Sequence, residues 1–130
     1  GLEVMDHNNG EIWGQLDAGT EEYFKLVNRT NVKFERILTN LLETSKARPI
    51  IIQSLFFKVH GEAMSEAELE AYCGRLSNIT EGGGQIDEVH LYTVARPTPE
   101  TYATKLEPVE LEQMAEVIRG RTNLRVAVFP

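Results

Sequence analysis

A chain of 130 residues is the size of one domain and buries about two-thirds of the surface that its unfolded form exposes. Its 20 acidic and 13 basic residues leave a net charge of −7, which argues against duplex DNA or RNA as the main partner, because phosphate binding needs a Lys/Arg surface. No apolar run approaches the roughly 20 residues of a membrane span and no secretory signal is visible, so a cytoplasmic protein is expected.

The opening stretch Leu2-Glu3-Val4-Met5 reads like the end of a helix. With Gly1 where an initiator Met would stand, it suggests a piece of a longer chain. Glu11 to Asp17 reads as a short strand ending at the Ala18-Gly19 turn. Thr20 is placed as a helix N-cap, with Glu21 and Glu22 where the helix dipole favours negative charge. A longer helix follows from Phe34 to Lys46, where Phe34, Ile37, Leu38, Leu41 and Leu42 repeat at three-and-four spacing.

Pro49 opens a strand over Ile50 to Phe57 that is apolar on both sides, as covered parallel strands are. Ser65 and Glu68 form a capping-box pattern at the head of a helix carrying Leu69, Tyr72, Cys73 and Leu76 on one side. Gly82-Gly83-Gly84 ends it and precedes a strand, so it suits a flexible turn rather than a phosphate-cradling loop. The strand Val89 to Ala95 runs into Arg96-Pro97. Pro108 starts a helix with Leu111, Met114, Ala115 and Ile118, and Gly120 sits near its end; Leu124 to Phe129 is the last strand. The order β-α-α-β-α-β-α-β predicts one α/β domain over residues 1–130, with right-handed crossovers and a parallel sheet.

Ligands of such sheets bind at the carboxyl ends of the strands. By alternation, Trp13, Gln15 and Asp17 share a face, as do Ile51, Gln53 and Leu55, while Ser54 points the other way and His90 and Tyr92 alternate with Leu91 and Thr93. Gln15, Asp17, Gln53 and Tyr92 are polar groups on apolar strands, and Arg96 follows the third strand. Each also has a plain structural use. Asp17 can cap a turn, Gln53 can bond a neighbouring strand, Tyr92 can pack as an aromatic and Arg96 can pair with a surface carboxylate. His7, His60 and His90 show no metal-ligand spacing. Cys73 is the one cysteine, so the chain can form neither an internal disulfide nor, alone, an iron–sulfur or structural zinc site; mid-helix, it suits a small buried hydrophobe.

Several phrases together resemble radical S-adenosylmethionine (radical SAM) proteins. "EIWGQLDAGTEEYFKLVNRT" is similar to their LDAG strand, turn and helix, and "ARPIIIQSLFF" to the next strand. "IDEVHLYTVARPTPE" and "KLEPVELEQMAEVIRGRTNLRVAVF" resemble the units that follow. The resemblance implies the C-terminal half of a partial TIM-like (β/α)6 barrel. In that family a [4Fe–4S] cluster, held by a Cys-x3-Cys-x2-Cys loop, cleaves S-adenosylmethionine to a 5′-deoxyadenosyl radical. Neither that loop nor the family's glycine-rich cofactor segment has a counterpart here, so this stretch alone is expected to be inactive and metal-free. The barrel-lining residues that carry over toward the cofactor are Gln15, where the family often has Lys or Ser, with Asp17, Gln53, Ser54, Tyr92 and Arg96; Arg29 would approach the cofactor carboxylate. A small-molecule substrate of unknown identity, no nucleic acid, no membrane and self-association through exposed strand edges complete the expectation. The rival reading is a non-catalytic α/β binding or interaction module. An aldolase-like half barrel would need a strand lysine, which the four strands lack.

Overall fold

In a computed structural model, residues 4–6, 12–27, 32–59, 61–93 and 103–130 are described. The chain forms β1 (Val4–Asp6), β2 (Ile12–Gln15), α1 (Glu21–Val27), α2 (Phe34–Ala47), β3 (Ile50–Leu55), β4 (Lys58–Val59), α3 (Glu66–Glu81), β5 (Ile86–Tyr92), β6 (Ala103–Thr104), α4 (Pro108–Thr122) and β7 (Val126–Phe129). The main sheet has the order β1-β2-β3-β5-β7, in which β2, β3, β5 and β7 are parallel and β1 runs antiparallel to β2. The four parallel strands therefore stand side by side in the order in which the chain makes them, alternating with helices.

One parity of strand residues meets the helices. Ile50, Ile52, Val89, Leu91 and Val126 belong to a single core with Phe24 of α1, Ile37 and Leu41 of α2, Leu69, Tyr72, Cys73, Leu76 and Ile79 of α3, and Leu111, Ala115 and Ile118 of α4. Sequential order with one hand of crossover puts every helix on the same side, and this shared core agrees. The other parity, which includes Trp13, Gln15, Ile51, Gln53, Leu55, Glu88, His90, Tyr92 and Phe129, carries no described helix and, apart from the buried Ile51, is part-buried or exposed.

The helices form where their caps and periodicity place them. Thr20 accepts the Tyr23 N–H on its Oγ1 at 3.3 Å, Pro108 opens α4, and α3 stops at Gly82. The Gly82–Gly84 segment is a tight closure, with Gly84 N–H donating to Ile79 O at 2.8 Å and its Cα so near Ser45 Oγ and Ile79 that a side chain would collide. At the far end α4 runs through Gly120 and closes on Asn123, whose φ of 59° is the left-handed turn that asparagine tolerates.

Three expectations change. Val4–Asp6 is an edge strand, not a helix end; pairing of Met5 with Trp13 supplies the hydrogen-bonded setting that three residues of sequence do not advertise. The capping box at α3 is half-formed: Ser65 Oγ accepts the Glu68 N–H at 3.1 Å, while the Glu68 carboxylate is drawn to a distant turn. A second, antiparallel ladder joins β4 to β6 beyond the carboxyl end of β3, with Lys58 Nζ 3.1 Å from Glu110 Oε1. Arg29 and Arg96 lie outside the described residues, as do His7 and His60.

Candidate functional site at the strand ends and the open sheet face

The turn between β2 and α1 carries Asp17, and α3 holds it from below with one stripe of side chains. Glu68, Tyr72 and Arg75 recur at four and three residues, so they lie one above another on the helix. The Glu68 carboxylate is 7% exposed. It accepts hydrogen bonds from Gly19 N–H at 2.6 Å, Thr20 N–H at 2.9 Å and Thr20 Oγ1 at 2.6 Å, and so acts as a cap on α1 supplied from 48 residues away. Arg75 Nε donates to Gly19 O at 2.9 Å. The approach is so close that a Cβ on Gly19 would stand 2.1 Å from Tyr72 N, and glycine alone fits there.

Ser54 and Tyr72 tie the same turn to β3. Ser54 Oγ donates to Leu16 O at 2.5 Å and lies 2.6 Å from Tyr72 Oη, with both side chains fully buried. Burial drives the Tyr72 phenol far above its ordinary pKa; the Ser54 hydrogen bond works against this and the Asp17 charge adds to it, so the hydroxyl stays protonated. The Asp17 carboxylate then faces the end of β3, accepting Leu55 N–H at 2.8 Å on Oδ1 and the Gln15 amide at 2.8 Å on Oδ2.

Parallel register arranges the open face in rows. Trp13, Ile51 and Glu88 form the first, Gln15, Gln53, His90 and Ala127 the second, and Leu55, Tyr92 and Phe129 the third. Rings crowd the second and third rows. Trp13 meets His90 edge-on at 4.9 Å between centroids, His90 lies 5.1 Å from Phe129, and Tyr92 stacks on Phe129 at 4.9 Å. Glu88 Oε1 is 2.9 Å from His90 Nε2, a reach made natural by their i, i+2 spacing on one face. His90 Nδ1 is buried without a hydrogen-bond partner among the described residues, and leaving such a group unsatisfied costs about 1–3 kcal/mol.

Of the residues singled out from sequence, Gln15, Asp17, Gln53 and Tyr92 come together at the carboxyl ends of β2, β3 and β5. Ser54 does not join them; it points into the helix layer and holds Leu16 and Tyr72. Residues outside that set share the face, among them Trp13, Glu88, His90 and Phe129 with the aliphatic Ile51, Leu55 and Ala127. The Glu88–His90 pairing was missed because the strand read from sequence starts at Val89; with β5 beginning at Ile86, these two residues, two apart, fall on one face. Glu68 gave no such signal, because its partners are 48 and 49 residues distant.

The described grooves lie elsewhere. One of about 790 Å³ runs along the start of α2, one of about 490 Å³ lies between α3 and α4, and one of about 180 Å³ between α2 and α3. None of their lining residues belongs to the open face. Cys73 is buried in the core, and burial with the neighbouring Glu70 charge raises its thiol pKa. Among the described residues no group of three His, Cys, Asp or Glu side chains could hold a metal ion, and no helix is long and apolar enough to cross a membrane. Neither the family models nor the curated proteins compared with this sequence gave a match.

Proposed function

We propose that this chain is the C-terminal wall of a radical SAM-type barrel enzyme, with the open sheet face turned toward cofactor and a small-molecule substrate. The observation that carries the reading is the sequential order of four parallel strands, with all the described helices on one side. A doubly wound sheet reverses its strand order and covers both faces, whereas a barrel wall keeps one face for the lumen. Gln15, Asp17, Gln53 and Tyr92 stand at the strand ends where such enzymes bind ligands, and Arg96 follows the same strand as Tyr92. Asp17, Gln15 and Gln53 offer acceptors and donors suited to the ribose and amino acid groups of S-adenosylmethionine, and Tyr92 offers a ring face.

The iron–sulfur cluster does not fit the described residues. Cys73 is a buried, protonated thiol packed among apolar side chains of α3, whereas cluster ligands are thiolates. No step is therefore routed through a cluster on this chain. The cluster and the radical chemistry would belong to sequence upstream of Gly1, and the protein would work in the reducing cytoplasm.

The test is anaerobic iron and sulfide reconstitution of the polypeptide encoded with its upstream sequence, followed by electron paramagnetic resonance. The reading expects a [4Fe–4S] signal that changes when S-adenosylmethionine is added. An upstream sequence without a Cys-x3-Cys-x2-Cys loop would sink it.

A second reading, a self-standing α/β binding module, has its own support. β1 pairs antiparallel along the edge of β2, which is where a preceding barrel strand would have to pair. Removal of residues 1–6 separates the two. A barrel piece keeps its fold and offers β2 to a parallel neighbour, while a self-standing module loses stability and gains no partner.

A further inference from the structure

We propose that the Glu88–His90 pair is a ligand-contacting site, in which His90 Nδ1 accepts a hydrogen bond from a hydroxyl or amino group carried on a planar aromatic ring. This deepens the reading above and rests on the open face being the ligand side; it does not depend on a cluster or on S-adenosylmethionine. The Glu88 carboxylate, 2.9 Å from Nε2, calls for the proton on that nitrogen. A neutral imidazole carries only one N–H, so Nδ1 is left with its lone pair. That atom is buried and unpartnered among the described residues. It is an acceptor held in place and not used by any described residue.

The surroundings define what would bring the donor. Trp13 and Phe129 lie against the imidazole at 4.9 and 5.1 Å, and Tyr92 lies 6.4 Å away. Phe129 is 42% exposed on the terminal strand of the sheet, so its ring is the one best able to slide aside and admit another. A flat ring stacks there at little entropic cost. Gln53 and Gln15 continue the His90 row toward β2, so the site is aromatic on one side and polar on the other. Among the described residues, the titratable groups facing His90 are Glu88 and Tyr92 of its own strand; β3 and β7 bring Gln53 and Phe129, and β2 brings Trp13 from one strand further, none of them charged. A planar ring bearing one donor matches this pattern, whereas a phosphate or other anion would meet the Glu88 charge.

Phenol is the probe and anisole, its methyl ether without the donor, is the control. The readout is the long-range ¹H–¹⁵N spectrum of histidine side chains in labelled protein, recorded above the ordinary histidine pKa of about 6.5. His90→Gln assigns the His90 signals among the three histidines. The free protein is expected to show the Nε2–H tautomer at His90. Phenol should shift Nδ1 and the Trp13 indole, while anisole should shift the indole alone. Glu88→Ala, checked for an intact backbone spectrum, should mix the tautomers and abolish the Nδ1 response. An Nδ1–H tautomer, no response to phenol, or equal Nδ1 shifts with phenol and anisole would each overturn the proposal. The iron reconstitution experiment reads none of these signals, so either idea can fail while the other stands.

Discussion

Glu68 holds three donors of one turn with a single buried carboxylate, two of them the N–H groups at the head of α1. Glu68→Gln removes the charge that the two N–H groups and the Thr20 hydroxyl share and leaves one acceptor oxygen in place of two, and should cost about 2–3 kcal/mol in urea unfolding. A loss below about 0.5 kcal/mol, the range of ordinary surface changes, would show that the grip is not used. Gly19→Ala should cost at least about 3 kcal/mol, because the added methyl meets the backbone of Tyr72, which cannot swing away. Tyr72→Phe loses one shared hydrogen bond and should cost about 1 kcal/mol at neutral pH. Burial raises the pKa values of Tyr72, Tyr23 and Cys73, so the folded chain keeps protons that the unfolded chain sheds. Stability should therefore fall with rising pH, first near the free thiol value of about 8.5 and more steeply above about 10, and Tyr72→Phe should flatten the second fall. Denaturant midpoints measured from neutral to alkaline pH check the sign; a flat profile would contradict it. None of this was legible locally. Ser65 and Glu68 read as a capping box because sequence shows only the near partner, and α1 proved to be the stronger claimant.

At the level of elements, the long amphipathic helices and the two strands β2 and β3 could be placed from periodicity and turn residues. Short pieces could not. β4 and β6 are two residues each and exist through their pairing with one another, and β1 exists through β2. β5 begins at Ile86 and not at Val89 because the Gly82–Gly84 closure delivers the chain directly into the ladder with β3. The sheet edges also differ from the half barrel expected from sequence. β1 replaces β2 as one edge of the sheet and β7 is the other, and self-association through the parallel strands would run at β7. There Val89 N–H donates to Arg125 O, so the backbone groups of Val126 and Val128 turn outward. Arg119 of α4 reaches over and donates to Val126 O at 2.6 Å while Glu112 and Glu116 hold its guanidinium. An arginine placed on an edge carbonyl blunts strand addition. Arg119→Ala should increase the dimer fraction in sedimentation velocity at a given concentration, and an unchanged distribution would show that the edge is protected by something else.

Across the whole molecule, the alternation of strands and helices in the sequence was enough to expect a parallel α/β sheet, because amphipathic helices between buried strands leave few other solutions. The face carrying Gln15, Asp17, Gln53 and Tyr92 was likewise visible, since the two-residue period assigns every strand residue to a side. What strand alternation could not show is how the rows align, and the row joining Gln15, Gln53 and His90 is a product of register between chains of residues nearly forty apart. That alignment puts polar strand ends, an aromatic cluster and the Glu88–His90 pair on one surface with the helices behind it, and in the proposed function this surface is the working side. Backbone ¹H–¹⁵N spectra of the labelled chain titrated with S-adenosylmethionine test it most directly. Shifts should concentrate at Gln15, Asp17, Gln53 and Tyr92 and weaken in Asp17→Asn protein; shifts confined to the grooves of α2, α3 and α4, or none at saturating ligand, would contradict it.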